Sequence, residues 1–314
     1  MKRRGDWVLF AVILALGALP LVGEPYTLRL GTLACMYAVM SVSWNVIGGL
    51  AGYPSFGTAA FFGLGAYVGG VMLVQGSALL LALAYAGLAA FGGAMLLGSV
   101  LLRLRGHYFA IASLAVAEVL RELTNTATDL TGGGMGLNIP LAGLSGRGIA
   151  YEAAFFFLAM WALLLATVAT VVAVERSKIG FGLACIRQNE SAADMIGVNT
   201  TLYKSLAFAL SGVFVAMAGT LYAGWMHYIE PPDVYDISFA IKPIVMALLG
   251  GLGSTAGAVI GAFAFLGIEE AVWRNYLQIH TGVLGLLIVV LLLFFPHGIV
   301  FIGRRLKALR LRHG

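Results

Sequence analysis

The residues best spaced to do chemistry lie between Glu175 and Lys204, the longest polar stretch between apolar runs. Their types suit docking rather than bond-making. Asn189 can cap a short helix, Glu190 then sits in its first turn, and Gly197 supplies the left-handed position just past its end. The spacing predicts a two-turn helix. A helix this short is marginal alone in water and needs a surface to rest on. Ser191, Ala192 and Ala193 are small enough for close approach, and Met195 and Ile196 offer apolar anchors. The helix either folds against its own chain or seats on another protein, and the residues leave both open.

Other ionisable groups fall inside apolar runs, where they are costly and usually functional. Glu118, Arg121 and Glu122 sit at i, i+3 and i+4, so one helical face holds all three. They either line a polar path or form an ion pair locking this helix to a neighbour. Glu269, Glu270 and Arg274 invite the same two readings closer to water. Asn45, after Trp44, is a lone polar group and reads first as an interhelical hydrogen bond. There is no G-x-x-x-x-G-K-[ST] phosphate loop, so no ATP site of that kind is expected. Gly132–Gly136 reads as a flexible loop. The five histidines lack metal-ligand spacing, and Cys35 and Cys185 form no disulfide framework. No cofactor, metal or catalytic constellation is expected.

The elements that position these groups follow from composition. The chain is 61% hydrophobic and 11% charged, against roughly 25% charged for soluble domains. It therefore needs lipid. Runs near 7–22, 31–49, 56–75, 78–101, 107–124, 153–174, 205–226, 240–253, 256–272 and 282–302 approach the roughly 20 residues that cross a bilayer. The fold expected is an all-α polytopic transmembrane bundle of about ten spans, eight to ten allowing for re-entrant segments, forming one domain over 1–314. Fourteen of the nineteen Lys and Arg fall on one side of that arrangement, Lys204 among them, which places both termini in the cytoplasm. The N-terminal run reads as a membrane anchor rather than a cleaved signal. The basic tail from Arg304 to Arg312 reads as a lipid-facing segment, with no nucleic-acid role.

Two glycine-rich stretches interrupt the apolar pattern. The first holds Gly48 and Gly49 and runs to Pro54; the second holds Gly250, Gly251 and Gly253. Both share Gly-Gly-Leu, which chance or an internal duplication would explain. Gly253, Gly257 and Gly261 are four apart and predict one small-residue helix face. Breaks at membrane depth are tolerated only where protein or a water-filled cavity covers the freed backbone. Asn125–Glu152 and Tyr228–Asp236 are the long loops on the other side, and the latter carries three acids.

Glu190-Ser-Ala-Ala-Asp-Met-Ile-Gly197 resembles the Glu-Ala-Ala loop of ABC importer permeases, with Ser191 where the general motif has alanine. The wider string from Ile186 and Arg187 to Asn199, Gly57–Tyr67, Leu104–Ala112 and Leu249–Ser254 resemble the branched-chain amino-acid permeases of the LivM type. The resemblance implies that segment 175–204, with Arg187, Glu190, Ser191, Ala192, Ala193 and Gly197, docks on an ATPase subunit, and that outer loop 125–152 meets a periplasmic or extracellular substrate-binding protein. It also implies a second permease subunit, two ATP-binding cassette subunits, an amino-acid substrate (leucine, isoleucine or valine) and a bacterial inner membrane. A urea or amide importer is the alternative within the family. An ion-coupled secondary transporter using Glu118 is the alternative outside it.

Overall fold

Backbone N–H and C=O groups find no water in hydrocarbon, so a chain this apolar must close its hydrogen bonds within helices. The computed structural model describes residues 2–21, 24–104, 106–140, 148–275 and Gly285. Its helices are α1 (Lys2–Leu16), α2 (Pro25–Asn45), α3 (Thr58–Val74), α4 (Leu79–Leu101), α5 (His107–Thr126), α6 (Thr128–Thr131), α7 (Ile149–Arg176), α8 (Lys178–Gln188), α9 (Glu190–Met195), α10 (Thr200–Met226), α11 (Pro231–Val234), α12 (Ser238–Gly250) and α13 (Thr255–Asn275).

The first nine apolar runs thus correspond to α1–α5, α7, α10, α12 and α13. Among the described residues, five helical stretches are long and apolar enough to cross a membrane: Pro25–Leu50, Leu79–Leu101, Ile149–Arg176, Thr200–Met226 and Thr255–Val272. At 17 and 13 residues, α3 and α12 are shorter because each abuts a glycine break. The run at 282–302 and the basic tail lie outside the described residues.

Helices α2, α3 and α10 form the centre, while α4 is exposed along one side through Leu80, Leu88 and Leu96. The α3–α10 crossing is tight because of glycine. A Cβ on Gly65 would stand 2.0 Å from the Ala216 carbonyl oxygen, and one on Gly219 would stand 2.1 Å from that of Phe62. The Thr220 hydroxyl donates to the Gly65 carbonyl at 2.8 Å, fastening the crossing. Small residues let backbones approach this closely, which is how helices associate when water no longer drives them together.

At one end of the bundle the two long loops meet. Leu137–Asn138 (β1) pairs antiparallel with Tyr228–Ile229 (β2), and the Ile139 N–H donates to the His227 carbonyl at 2.7 Å. The segment expected to be a flexible loop, Gly132–Gly136, is instead a compact turn. Thr131 Oγ1 bonds the Thr124 and Ala127 carbonyls, and the Tyr228 hydroxyl lies 2.9 Å from the Met135 carbonyl. The Glu230 carboxylate, 2.8 Å from that hydroxyl, holds the phenol above its usual pKa.

Candidate functional site

The opposite end collects the 175–204 segment and both glycine breaks. The segment is more helical than the sequence suggested. Ser177 caps α8, accepting from the Ile179 N–H at 3.1 Å, and Cys185 lies within that helix. Next comes α9, whose ends are closed as its residues predict. The Asn189 side chain accepts from the Ala192 N–H at 3.1 Å. Beyond the helix, Val198 N donates to the Ala193 carbonyl and Gly197 N to that of Asp194, both at 3.0 Å, with Gly197 at φ +86°. This double bond pattern around a left-handed residue is the Schellman cap.

A methyl on Gly197 would meet nothing within 4 Å, so only backbone strain opposes it. Gly197→Ala is expected to weaken the α9 cap by about 1–2 kcal/mol. Amide exchange across 190–198 should then accelerate roughly 5–30-fold in the reconstituted protein.

What α9 rests on is its own bundle. Lys204, in the first turns of α10, is 3% exposed. Its ammonium donates to Glu190 Oε1 at 2.6 Å, to the Leu102 carbonyl at 3.0 Å and to the Tyr53 hydroxyl at 3.2 Å. The Tyr53 hydroxyl donates to Glu190 Oε2 at 2.5 Å, and the Lys204 cation sits 4.8 Å from the Tyr53 ring centre. An ion pair this secluded stands only because its donors and acceptors are met. Lys204, counted from the sequence only by the side on which it falls, is therefore an internal anchor. Ala193 packs inward at 2% exposure, so its small size serves contact within the chain. Ser191, Asp194 and Gly197 face outward and Ala192 is half-buried. Met195 and Ile196 are 83% and 71% exposed.

The first break starts where α2 widens into a π turn, Val46–Leu50, around the Trp44 ring. The chain then runs irregularly to Gly57, with Tyr53 and Ser55 buried and Gly52 and Pro54 exposed, and several of its backbone groups find protein partners. Trp44 Nε1 donates to the Ser55 carbonyl at 2.7 Å, the Phe56 N–H donates to Ser113 Oγ at 2.8 Å, and Tyr53 N–H donates to the Ile47 carbonyl at 3.0 Å. Arg187 Nη1 takes the Gly49 carbonyl at 2.6 Å.

The second break lies against the first. Asn45 Oδ1 accepts from the Gly253 N–H at 2.8 Å, while among the described residues Asn45 Nδ2 has no partner. A Cβ on Gly49 would stand 1.9 Å from Asn45 Oδ1. Asn45 therefore ties the end of α2 to the second break, where the expected bond was to another helix. The expected glycine face is corrected here. Gly257 and Gly261 do line α13, within reach of the backbones of Gly250 and Met246, but Gly253 precedes that helix. Gly251 and Gly253 take φ +118° and +75°, which no continuing helix can hold.

The other polar candidates do not join this site. Arg121 pairs with Glu118 within α5, with Arg121 40% and Glu118 64% exposed, so the ion pair does not lock α5 to a neighbour in this chain. Glu122 is exposed on the same helix. Glu269 pairs with Lys242 at 2.7 Å near the other end. The side chain of Arg274 lies outside the described residues. Sequence reasoning missed Tyr53, and it missed the burial of Lys204. A lysine set inside the 27-residue α10, fourteen residues after a glutamate, was the available signal.

A family model for the branched-chain amino acid transport system permease component matches residues 26–296. The chain is 29% identical to the high-affinity branched-chain amino acid transport system permease protein LivM of Escherichia coli K12, over 98% of this chain and 77% of that protein. It is 24% identical to a probable LivM permease of Methanocaldococcus jannaschii, over 84% of this chain and 90% of that one. The E. coli K12 LivH permease is 30% identical over 43% of this chain and 44% of its own length.

Proposed function

Because the chain belongs to the branched-chain amino acid transport permease family, we propose that α9 is the point where an ATP-hydrolysing subunit docks and drives transport. The chain is a LivM-type permease of a branched-chain amino acid ABC importer. One observation carries the coupling role. At the polar end of an apolar bundle, a six-residue helix capped at both ends is pinned inward by Glu190 and leaves Met195 and Ile196 in the open. Large apolar side chains on so short a helix suit burial by a partner. In this reading Ser191, Ala192, Met195 and Ile196 form the contact surface, while Glu190, Ala193 and Gly197 shape it.

The rest of the assembly follows the same proposal. The likeness of this chain to both LivM and LivH proteins supports a second, related permease subunit beside it. Two ATP-binding cassette subunits would sit below, and a substrate-binding protein would meet the end closed by β1 and β2. The clustering of Lys and Arg on the α9 side supports a cytoplasmic location for that end and for both termini of a ten-span chain in the bacterial inner membrane. Leucine, isoleucine and valine are the proposed substrates.

The test is uptake by proteoliposomes holding the full complex, loaded with ATP and supplied with the binding protein. Labelled leucine uptake should require internal ATP, be competed by isoleucine and valine, and ignore urea. Competition by urea would reassign the substrate. Uptake driven by an ion gradient without ATPase subunits would overturn the importer reading.

A further inference from the structure

The coupling segment grips the first helix break at two places, and that break carries one half of α5. Arg187, at the end of α8, reaches the Gly49 carbonyl and threads between the breaks: Cβ atoms placed on Gly52 and Gly253 would stand 3.1 Å from its Cγ and 2.8 Å from its Nη1. Farther along, the Glu190–Lys204 pair holds the Tyr53 hydroxyl. The stretch from Gly49 to Phe56 is therefore tied to both α8 and α9.

That stretch is also what α5 leans on. Few residues of α5 are buried, chiefly Phe109, Ser113, Ala117 and Thr124 along one stripe. Phe109 packs edge-on to Tyr53 at 5.5 Å between ring centres, and Ser113 accepts the Phe56 N–H. At the far end, Thr124 Oγ1 meets the Tyr235 hydroxyl at 3.0 Å. So α5 has a foot on the break and a fixed point by Tyr235, while its outward face carries Glu118, Arg121 and Glu122.

We infer that Arg187 and the Glu190–Lys204 pair are positioning residues that hand a displacement of α8–α9 to α5 through the Gly49–Phe56 break. The inference rests on the docking role proposed for α9. Its physical basis is continuity: packed side chains and satisfied hydrogen bonds move together, whereas a loose loop would absorb the push. The Asn45–Gly253 bond stiffens the strut by binding the first break to the second.

The test is the ratio of ATP hydrolysed to leucine imported, measured in proteoliposomes with the whole complex. Arg187→Met removes one grip, and Glu190→Gln with Lys204→Met removes the other without stranding a charge. In complexes purified through the ATPase subunits, both should raise the ratio roughly fivefold or more, the lower end of ordinary coupling factors. Arg187→Lys, which keeps a donor for Gly49, should restore most of the wild-type ratio. Hydrolysis and uptake falling in proportion, with the ratio unchanged, would show that these residues only brace the fold and would overturn the inference. Failure of the docking reading looks different, since the unsubstituted chain would then retain no ATPase subunit at all.

Discussion

Leucine uptake is expected to vanish in Glu190→Lys while the chain still enters the membrane in normal amount. The substitution puts a second ammonium where the Lys204 ammonium now lies 2.6 Å from a carboxylate. Lys204 cannot retreat into water, because it is almost wholly enclosed between Leu102 and Tyr53. Breaking a buried ion pair from one side costs roughly 3–5 kcal/mol. A helix of six residues, whose remaining support is its two caps and Ala193, cannot absorb that and should detach from α10. The long helices enter the membrane through their apolar length and not through the pair, so insertion persists. Gly197→Pro should act alike, because proline fixes φ near −65° where +86° is needed and removes the N–H that meets the Asp194 carbonyl. The checks are alkaline extraction of membranes, which should leave both variants in the pellet, and uptake in proteoliposomes. Normal uptake by both variants would remove α9 from the transport cycle.

The largest stability effect should come from the bundle centre. Gly65→Val places a branched side chain where even a single Cβ would be 2.0 Å from the Ala216 oxygen and 2.3 Å from its Cα. Both contacts are backbone, so no rotamer change relieves them. Helices α3 and α10 must separate, and the Thr220 bond to the Gly65 carbonyl goes with them. Overpacking of a dense interior usually costs about 1–3 kcal/mol, and a rigid backbone clash belongs at or beyond the top of that range. The yield of monodisperse protein in detergent should collapse, and any surviving fraction should aggregate at a much lower temperature. Gly92→Val is the control: nothing lies within 4 Å of a Cβ there. Equal behaviour of the two variants would mean that the α3–α10 crossing does not organise the fold.

Much of this architecture was legible because hydropathy is a local property. Each of the first nine apolar runs is a helix, and glycine with proline marked where α2 stops before α3. The caps of α9 were readable for the same reason, since Asn189 and Gly197 act on backbone a few residues away. What sequence could not supply was the closure of the breaks. Trp44 is near its acceptor, but Ser113 lies 57 residues from Phe56, Arg187 lies 138 from Gly49, and Lys204 lies 151 from Tyr53. Counting Lys204 among the cations of one side could not show its burial, because charge-bias rules sort residues by side, not by depth. Aligning Gly253 with Gly257 and Gly261 failed because spacing alone does not say where a helix begins.

The irregular stretch between α2 and α3 also constrains the order in which the fold can close. Left in lipid, each unsatisfied backbone group would cost several kcal/mol. Yet when Phe56 leaves the ribosome, Ser113 has not been synthesised, and the partner of the Gly49 carbonyl follows only when residue 187 is translated. These hydrogen bonds therefore close only after α5 and then α8 have been synthesised. The final seating of α2 and α5 around this stretch thus waits for α8, the first helix after α7.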